Sequence, residues 1–117
     1  MHFAGRFANL ASRKLGTMKI EPHGTTLLIS ELTELNASNS GSFRDDVVAA
    51  LTPQMTHLDL DMSETRFLDS SGLGALIALH KTLSAAHGSV RILRPTATAR
   101  QILELTRLHR MFEIVTA

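Results

Sequence analysis

Apolar and polar residues alternate with two different periods along this chain, and the change of period predicts its elements. Leu58, Leu60 and Met62 alternate with Asp59 and Asp61, which is the pattern of a half-buried strand. After a short polar break the period lengthens to that of an amphipathic helix, with an apolar face at Leu73, Leu76, Ile77, Leu79 and Leu83. The start of this helix is therefore expected at the edge of a sheet.

Two strands and a helix are predicted upstream of this unit. Ile20 and residues 27–29 have strand patterns on either side of a turn at residues 22–24. Ser40 or Ser42 is the expected N-cap of the helix, which ends before a Thr-Pro pair. Its predicted apolar face consists of Phe43, Val47, Val48 and Leu51.

A strand, a helix and an edge strand are predicted downstream. The helix described first is expected to end near Gly88, since glycine adopts the left-handed C-terminal conformation readily. Residues 90–93 have the pattern of a strand, Thr96 or Thr98 is the expected cap of the last helix, and residues 112–115 are expected at the sheet edge. The inward-facing positions of that helix are predicted at Ile102, Leu103 and either Leu105 or Leu108. Strands that alternate with helices predict an α/β fold with a mixed sheet of about four to five strands, packed with amphipathic helices.

Composition limits the function classes that fit the chain. Its 117 residues, of which 44% are hydrophobic, predict a single domain with one core. The absence of cysteine excludes disulfides, thiolate metal sites and thiol redox catalysis. No apolar run approaches the ~20 residues that a membrane helix needs. The chain is therefore predicted to be soluble and cytoplasmic, without membrane insertion.

Basic charge is concentrated at the N-terminus. Residues 1–20 hold four basic side chains and no acidic one, whereas residues 21–117 hold eight basic and eleven acidic ones. We interpret residues 1–17 as a basic extension and residues 18–117 as the domain. The extension has the pattern of an amphipathic membrane or partner contact, or of a targeting peptide, with an apolar side at Phe3, Phe7 and Leu10. The simpler explanations are a disordered leader, a non-native addition or a start codon placed too early, because Met18 would itself open the domain.

The predicted start of the helix near residue 69 offers chemistry for an anion. Ser70 and Ser71 lie where unpaired backbone N–H groups and the positive end of the helix dipole gather, and such a position favours a phosphate. Gly72 and Gly74 lack side chains and would let another surface approach the backbone. A purely structural alternative is that Asp69 or Ser70 caps the helix and the glycines pack against a strand.

The segment LDLDMSETRFLDSSGLGALIAL, residues 58–79, resembles the signature of the STAS domain and, within it, of the bacterial anti-sigma factor antagonists. Two flanking segments, ELTELNASNSGSFRDDV and VRILRPTATARQILELTRLHRMFEIV, resemble the family's second strand to first helix and its last strands and final helix. The resemblance runs from Met18 to Val115. It implies a single STAS domain.

The resemblance also implies a phosphorylation switch. In that family the first serine of the DSSG motif is the phosphate acceptor, which corresponds to Ser70 here. The unphosphorylated protein is expected to bind an anti-sigma factor with GHKL-type serine kinase activity and so to release the sigma factor. Phosphorylation would end this binding, and a phosphatase acting on Ser70 would restore it. The implied partner-binding residues are Asp69, Ser70, Ser71, Gly72, Leu73 and Gly74, without a catalytic residue or a cofactor.

Metal binding and nucleic-acid binding are not indicated. Asp59, Asp61 and Asp69 lack the ligand spacing of a calcium loop, and Asp61 matches a structural aspartate of the family. The part of the chain after residue 20 is net acidic, and the whole chain has no Trp or Tyr, so direct DNA or RNA binding is not expected.

Serine hydrolysis is not indicated either. Ser71 lacks the G-x-S-x-G elbow, and His80 would lie ~15 Å along the helix from Ser70.

Other functions of the same fold remain compatible with the sequence. The domain could be a constitutive docking subunit of a stress-signalling or lipid-transport complex, in which Ser70 is not phosphorylated. It could also be a small-molecule or nucleotide sensor that uses the crevice at the sheet edge. A homodimer fits any of these functions.

Overall fold

The computed structural model describes residues 12–116 of the chain. The N-terminal apolar positions Phe3, Phe7 and Leu10 therefore lie outside the described residues. The elements within residues 12–116 are, in chain order, β1 (Arg13–Leu15), β2 (Met18–His23), β3 (Thr26–Ser30), β4 (Glu34–Leu35), α1 (Ser40–Ala50), β5 (His57–Asp61), β6 (Phe67–Leu68), α2 (Ser70–Ala85), β7 (Ser89–Leu93), α3 (Ala97–Leu105), a 3₁₀ helix (Leu108–Arg110) and β8 (Glu113–Val115).

The main sheet of this part of the chain has six strands in the order β1-β2-β3-β5-β7-β8. Its first three strands are antiparallel, and β3, β5, β7 and β8 are parallel. The predicted mixed sheet of an α/β fold is confirmed, with more strands than the pattern indicated. The additional edge strand β1 lies within the predicted extension, where the three-residue sequence RKL carries no apolar alternation to mark it.

One core fills the space between this sheet and the helices. The register places Ile20, Ile29, Leu60 and Ile92 side by side across β2, β3, β5 and β7, and each is at most 1% exposed. Residues opposite one another on one sheet face form such rows because side chains alternate between the two faces of each strand. The predicted positions Leu76, Leu79 and Leu83 of α2 are buried against this core.

Two predicted helix faces are rotated from their expected positions. In α1 the buried residues are Phe43, Val47 and Ala50, and Val48 is 41% exposed, so its predicted inward orientation is wrong. In α2 the small residue Ala75 takes a buried position, whereas the predicted Leu73 and Ile77 are only half-buried. Sequence periodicity favoured the larger side chains, but close packing admits alanine where the helix lies nearest its neighbours.

The N-terminus of α3 matches its prediction, and the N-terminus of α1 does not. Thr96 caps α3, and its hydroxyl accepts a hydrogen bond from the amide of Ala99 at 3.2 Å. The expected cap Ser40 or Ser42 on α1 is wrong, because the N-cap is Asn39. The Asn39 side chain accepts from the amide of Asn36 at 2.8 Å and donates to the carbonyl of Glu34 at 2.8 Å, so it stabilises the preceding turn instead.

The β2–β3 turn and the end of α2 differ in detail from their predictions. The β2–β3 turn lies at Gly24 and Thr25 rather than at residues 22–24, because β2 continues through His23, which pairs with Thr26. At the end of α2 the left-handed residue is His87, with φ of 60°. Gly88 is needed for a different reason, since a Cβ there would lie 2.0 Å from the carbonyl oxygen of Thr56.

The C-terminal segment resolves the alternatives left by the sequence. Leu103 of α3 is fully buried, and Ile102 and Leu108 are half-buried against the core. Leu105 is 76% exposed, so Leu108 takes the inward position of the pair. The predicted edge strand is confirmed as β8, which pairs with β7.

A second sheet of two short parallel strands joins distant parts of the chain. Glu34 of β4 pairs with Phe67 of β6, and Leu35 pairs with Leu68. The inner pair, Leu35 and Leu68, is buried, and the outer pair, Glu34 and Phe67, is exposed. This small sheet fixes the segment that leads into α2.

Candidate functional site

The start of α2 is held by Asp69, the predicted cap. Its Oδ1 accepts a hydrogen bond from the amide of Gly72 at 3.0 Å, and its Oδ2 accepts from the amide of Ala37 at 3.2 Å. The amide of Asp69 donates to the carbonyl of Leu35 at 3.3 Å. Asp69 therefore caps α2 and also ties the helix start to the loop between β4 and α1, a contact that the sequence pattern did not indicate.

Gly72 contacts its own chain rather than the surface. It is buried, and a Cβ at this position would lie 2.3 Å from the carbonyl oxygen of Leu35 and 2.9 Å from Cδ1 of Leu68. The expected close approach to Gly72 therefore exists, but the approaching group is the backbone of β4. Gly72 thus packs against a strand, as the structural alternative predicted, and its contact with a partner stays a prediction.

The remaining predicted partner-binding residues form an accessible face. Ser70, Ser71 and Gly74 are exposed, and Leu73 is half-buried. Ser70 and Ser71 are the first two residues of α2, and Gly74 lies one turn further along the same face. A Cβ on Gly74 would meet nothing within 4 Å. The structure thus brings the two hydroxyls to the surface beside a residue that exposes its backbone.

The first turn of α2 has fewer unpaired backbone amides for an anion than the sequence suggested. The amide of Gly72 donates to the Asp69 side chain, and the amide of Leu73 donates to the Asp69 carbonyl at 3.0 Å. Only the amides of Ser70 and Ser71 therefore remain for an anion in this turn. A phosphate on Ser70 would extend into water and gain mainly from the helix dipole.

Sequence analysis missed an exposed aromatic side chain beside this face. Phe67 is 64% exposed, although it directly precedes the buried Leu68. It bounds a crevice of about 500 Å³ between β6, the start of α2 and α3, which is lined by Glu34, Asn36, Arg66, Phe67, Leu68, Asp69, Thr98 and Ile102. The sequence signal for an exposed side chain here is strand alternation, because only one of two neighbouring residues in a strand can face the core.

Asp59 and Asp61, the two aspartates of strand β5, pair with arginine side chains. Both carboxylate oxygens of Asp59 accept from Arg91 on the neighbouring strand, at 2.9 and 2.7 Å, and this hydrogen bond raises the pKa of the guanidinium. Asp61 accepts from the amide of Ser63 at 3.0 Å and from Arg94. Within residues 12–116, no cluster of three or more His, Asp or Glu residues is arranged to hold a metal ion.

Comparison with known proteins places the fold. The sequence model of the STAS domain matches residues 17–117. An anti-sigma factor antagonist from Mycobacterium paratuberculosis superposes with a TM-score of 0.74 at 24% identity, over 86% of this chain and 86% of that chain. The unphosphorylated anti-sigma factor antagonist SpoIIAA superposes with a TM-score of 0.72 at 22% identity, over 85% of this chain and 88% of that chain. The phosphorylated form of SpoIIAA from Bacillus superposes with a TM-score of 0.67 at 23% identity, over 85% of this chain and 91% of that chain.

The same fold also occurs within a membrane transporter. The murine anion transporter Solute Carrier 26 family member A9 superposes with a TM-score of 0.72 at 16% identity, over 98% of this chain but 22% of the transporter. In the part of the present chain that the structure describes, no helix has the length and apolar character to cross a membrane. At these identities the structural likenesses establish the fold, and the sequence match over residues 17–117 establishes the family. The chain belongs to the STAS domain family.

Proposed function

We propose that this STAS domain is an anti-sigma factor antagonist. In its unphosphorylated form it binds an anti-sigma factor with GHKL-type serine kinase activity and releases the sigma factor, and phosphorylation of Ser70 switches this binding off. A phosphatase acting on Ser70 resets the switch. The proposal depends mainly on one observation: Ser70 is exposed as the first residue of α2, while Asp69 and Gly72 on either side of it are engaged within the domain.

The switch acts on the partner interface rather than on the fold. A phosphate adds about −1.5 to −2 charge, and burying such a dianion under a partner costs several kcal/mol of solvation. In the free domain the phosphate stays in water, because Ser70 is exposed. Phosphorylation therefore weakens the complex and leaves the free energy of unfolding of the domain almost unchanged.

An affinity experiment tests the proposal. Wild type, Ser70→Ala and Ser70→Asp serve as baits in lysate of the source cells, and mass spectrometry identifies the partners and maps phosphate on wild type. We expect wild type and Ser70→Ala to retain a GHKL-type ATPase that Ser70→Asp loses, with phosphate on Ser70. Ser84→Asp, which adds the same charge to an exposed position near the other end of α2, should retain the ATPase. Equal retention by wild type and Ser70→Asp would contradict the switch.

A second candidate is a constitutive docking subunit of a larger assembly. The observation that favours it is the likeness to a domain that makes up 22% of a transporter chain. In this case all the baits should retain the same non-kinase proteins, and Ser70 should carry no phosphate.

A further inference from the structure

Four exposed side chains lie together where α3 ends and the chain turns toward β8. Leu105 is the last residue of α3, and Arg107, Arg110 and Met111 follow it around the 3₁₀ helix. All four are exposed, Leu105 at 76% and Met111 at 38%. Among residues 12–116, Leu105 is the most exposed of the large hydrophobic side chains. These four residues are here called the α3 corner.

Local hydrogen bonds hold this corner in one conformation. The amide of Arg107 donates to the carbonyl of Glu104 at 3.1 Å, and the amide of Arg110 donates to the carbonyl of Arg107 at 3.2 Å. Arg107 has the left-handed conformation, with φ of 63°, at the turn between α3 and the 3₁₀ helix. Leu108 is half-buried and Phe112 is buried beneath this turn. Because these two residues anchor the turn in the core, the four residues of the corner are kept at the surface.

The two arginines of the corner carry positive charge that no neighbouring carboxylate neutralises. Arg100, earlier on α3, pairs with Glu104 at 3.3 Å. Within residues 12–116, Arg107 and Arg110 have no carboxylate within ion-pair distance. Residues 105–112 include these two arginines and no acidic residue. The guanidinium N–H donors of both arginines are therefore available to an anionic ligand outside the domain.

Projecting apolar side chains beside unpaired arginines suit the surface of an anionic membrane. Guanidinium groups form paired hydrogen bonds with phosphate oxygens, and basic residues are attracted to a leaflet of anionic lipids. Apolar side chains next to them enter the boundary between headgroups and acyl chains, which requires no membrane-spanning helix. A protein hot spot is typically enclosed in a well-packed pocket, whereas Leu105 projects from the surface. The corner therefore fits a lipid surface better than a protein groove.

We infer that the α3 corner binds the surface of an anionic membrane. Leu105 and Met111 enter the interfacial region of the bilayer, and Arg107 and Arg110 contact lipid phosphates. The inference goes beyond the proposed function and does not depend on it, because the corner shares no residue with the segment 69–74 and its ligand is a lipid surface. It gives the domain a second binding surface, one that holds it at a membrane.

Co-sedimentation of the full chain with lipid vesicles tests the inference. The probes are vesicles of phosphatidylcholine alone and vesicles of an equal mixture of phosphatidylcholine and phosphatidylglycerol. We expect wild type to bind the mixed vesicles at low salt, to dissociate from them as salt is added, and not to bind phosphatidylcholine alone. The double variant Arg107→Gln/Arg110→Gln should bind the mixed vesicles about tenfold more weakly or less. Leu105→Ser should weaken binding several-fold, since it removes the apolar contact.

Matched variants separate a local contact from an effect of net charge. Arg44→Gln/Lys81→Gln removes the same two charges from exposed positions of α1 and α2. Val48→Ser removes an exposed apolar side chain from α1. Both variants should bind the mixed vesicles nearly as well as wild type, and so should Ser70→Asp, whose effect belongs to the proposed switch. Thermal unfolding checks that all variants are folded.

Two results would overturn the inference, and neither affects the proposed function. Residues 1–20 hold four further basic side chains, so binding of Arg107→Gln/Arg110→Gln at the wild-type level would assign the vesicle contact to another part of the chain. Failure of wild type to bind either kind of vesicle would exclude a lipid surface and would favour an acidic protein segment as the ligand of the corner.

Discussion

Gly72 and Gly74 lie two positions apart in α2, and only Gly72 lies where a side chain would not fit. We expect Gly72→Ala to destabilise the domain by about 1 to 3 kcal/mol, because its Cβ would meet the backbone of Leu35, which cannot rotate away as a side chain can. Gly74→Ala should leave stability unchanged or raise it by up to about 1 kcal/mol, since alanine favours a helix and the space is open. Urea denaturation measures both. Similar effects of the two substitutions would contradict the close approach at Gly72.

Asp61 makes a contribution to stability that depends on pH. Burial acts to raise the pKa of its carboxyl group, but hydrogen bonds from the amide and hydroxyl of Ser63 and from Arg94 outweigh burial and hold the pKa below its usual value. A carboxylate with a lowered pKa in the folded state stabilises the fold above its unfolded pKa of about 3.9 and loses this contribution as the pH falls through the folded-state value.

Replacement of Asp61 tests this pH dependence. We expect Asp61→Asn to lower the free energy of unfolding at pH 7 and to lose less stability than wild type as the pH falls below about 4. Urea denaturation at several pH values between about 7 and 2.5 measures the difference. Asp45→Asn, at an exposed position of α1, is the control. Parallel pH profiles for wild type and Asp61→Asn would contradict the assignment.

At the scale of elements, α2 depends on Asp69 at two separate points. Asp69→Ala removes the acceptor for the amide of Gly72 and the acceptor for the amide of Ala37. We expect a loss of about 1 to 2 kcal/mol. Hydrogen exchange should also become faster at both amides. Asp69→Asn keeps an acceptor for the cap and should lose less stability. Equal destabilisation by Ala and Asn would show that the cap contributes little.

Helices and strands were predictable from the sequence to different degrees. The alternation through Leu58 and Leu60 and the cap at Thr96 identified their elements, because both signals are local. The two-residue strands β4 and β6 gave no such signal, since their pairing joins Glu34 to Phe67 across more than thirty residues. Without that pairing, nothing in the sequence indicates which of Phe67 and Leu68 faces solvent.

At the scale of the whole molecule, one apolar row across the main sheet organises the core, and the site lies outside it. The site at the DSSG motif stays a prediction from resemblance, and the structure adds that Ser70 is exposed as the first residue of α2. The roles of its neighbours were not predictable in the same way. Gly72 and Asp69 both contact the segment between Leu35 and Ala37, and such contacts depend on how the chain returns to this point after α1 and β5.

The tie between α2 and the loop before α1 has a kinetic consequence. Since Asp69 and Gly72 hold the segment around Ser70 in place within the free domain, no ordering step has to precede recognition there. Association should then proceed at the rate of preformed surfaces, roughly 10⁵ to 10⁷ M⁻¹s⁻¹, and changes in affinity among interface variants should lie mostly in how long the complex lasts. Under the proposed function, residence time rather than the encounter rate would set how long the sigma factor remains free.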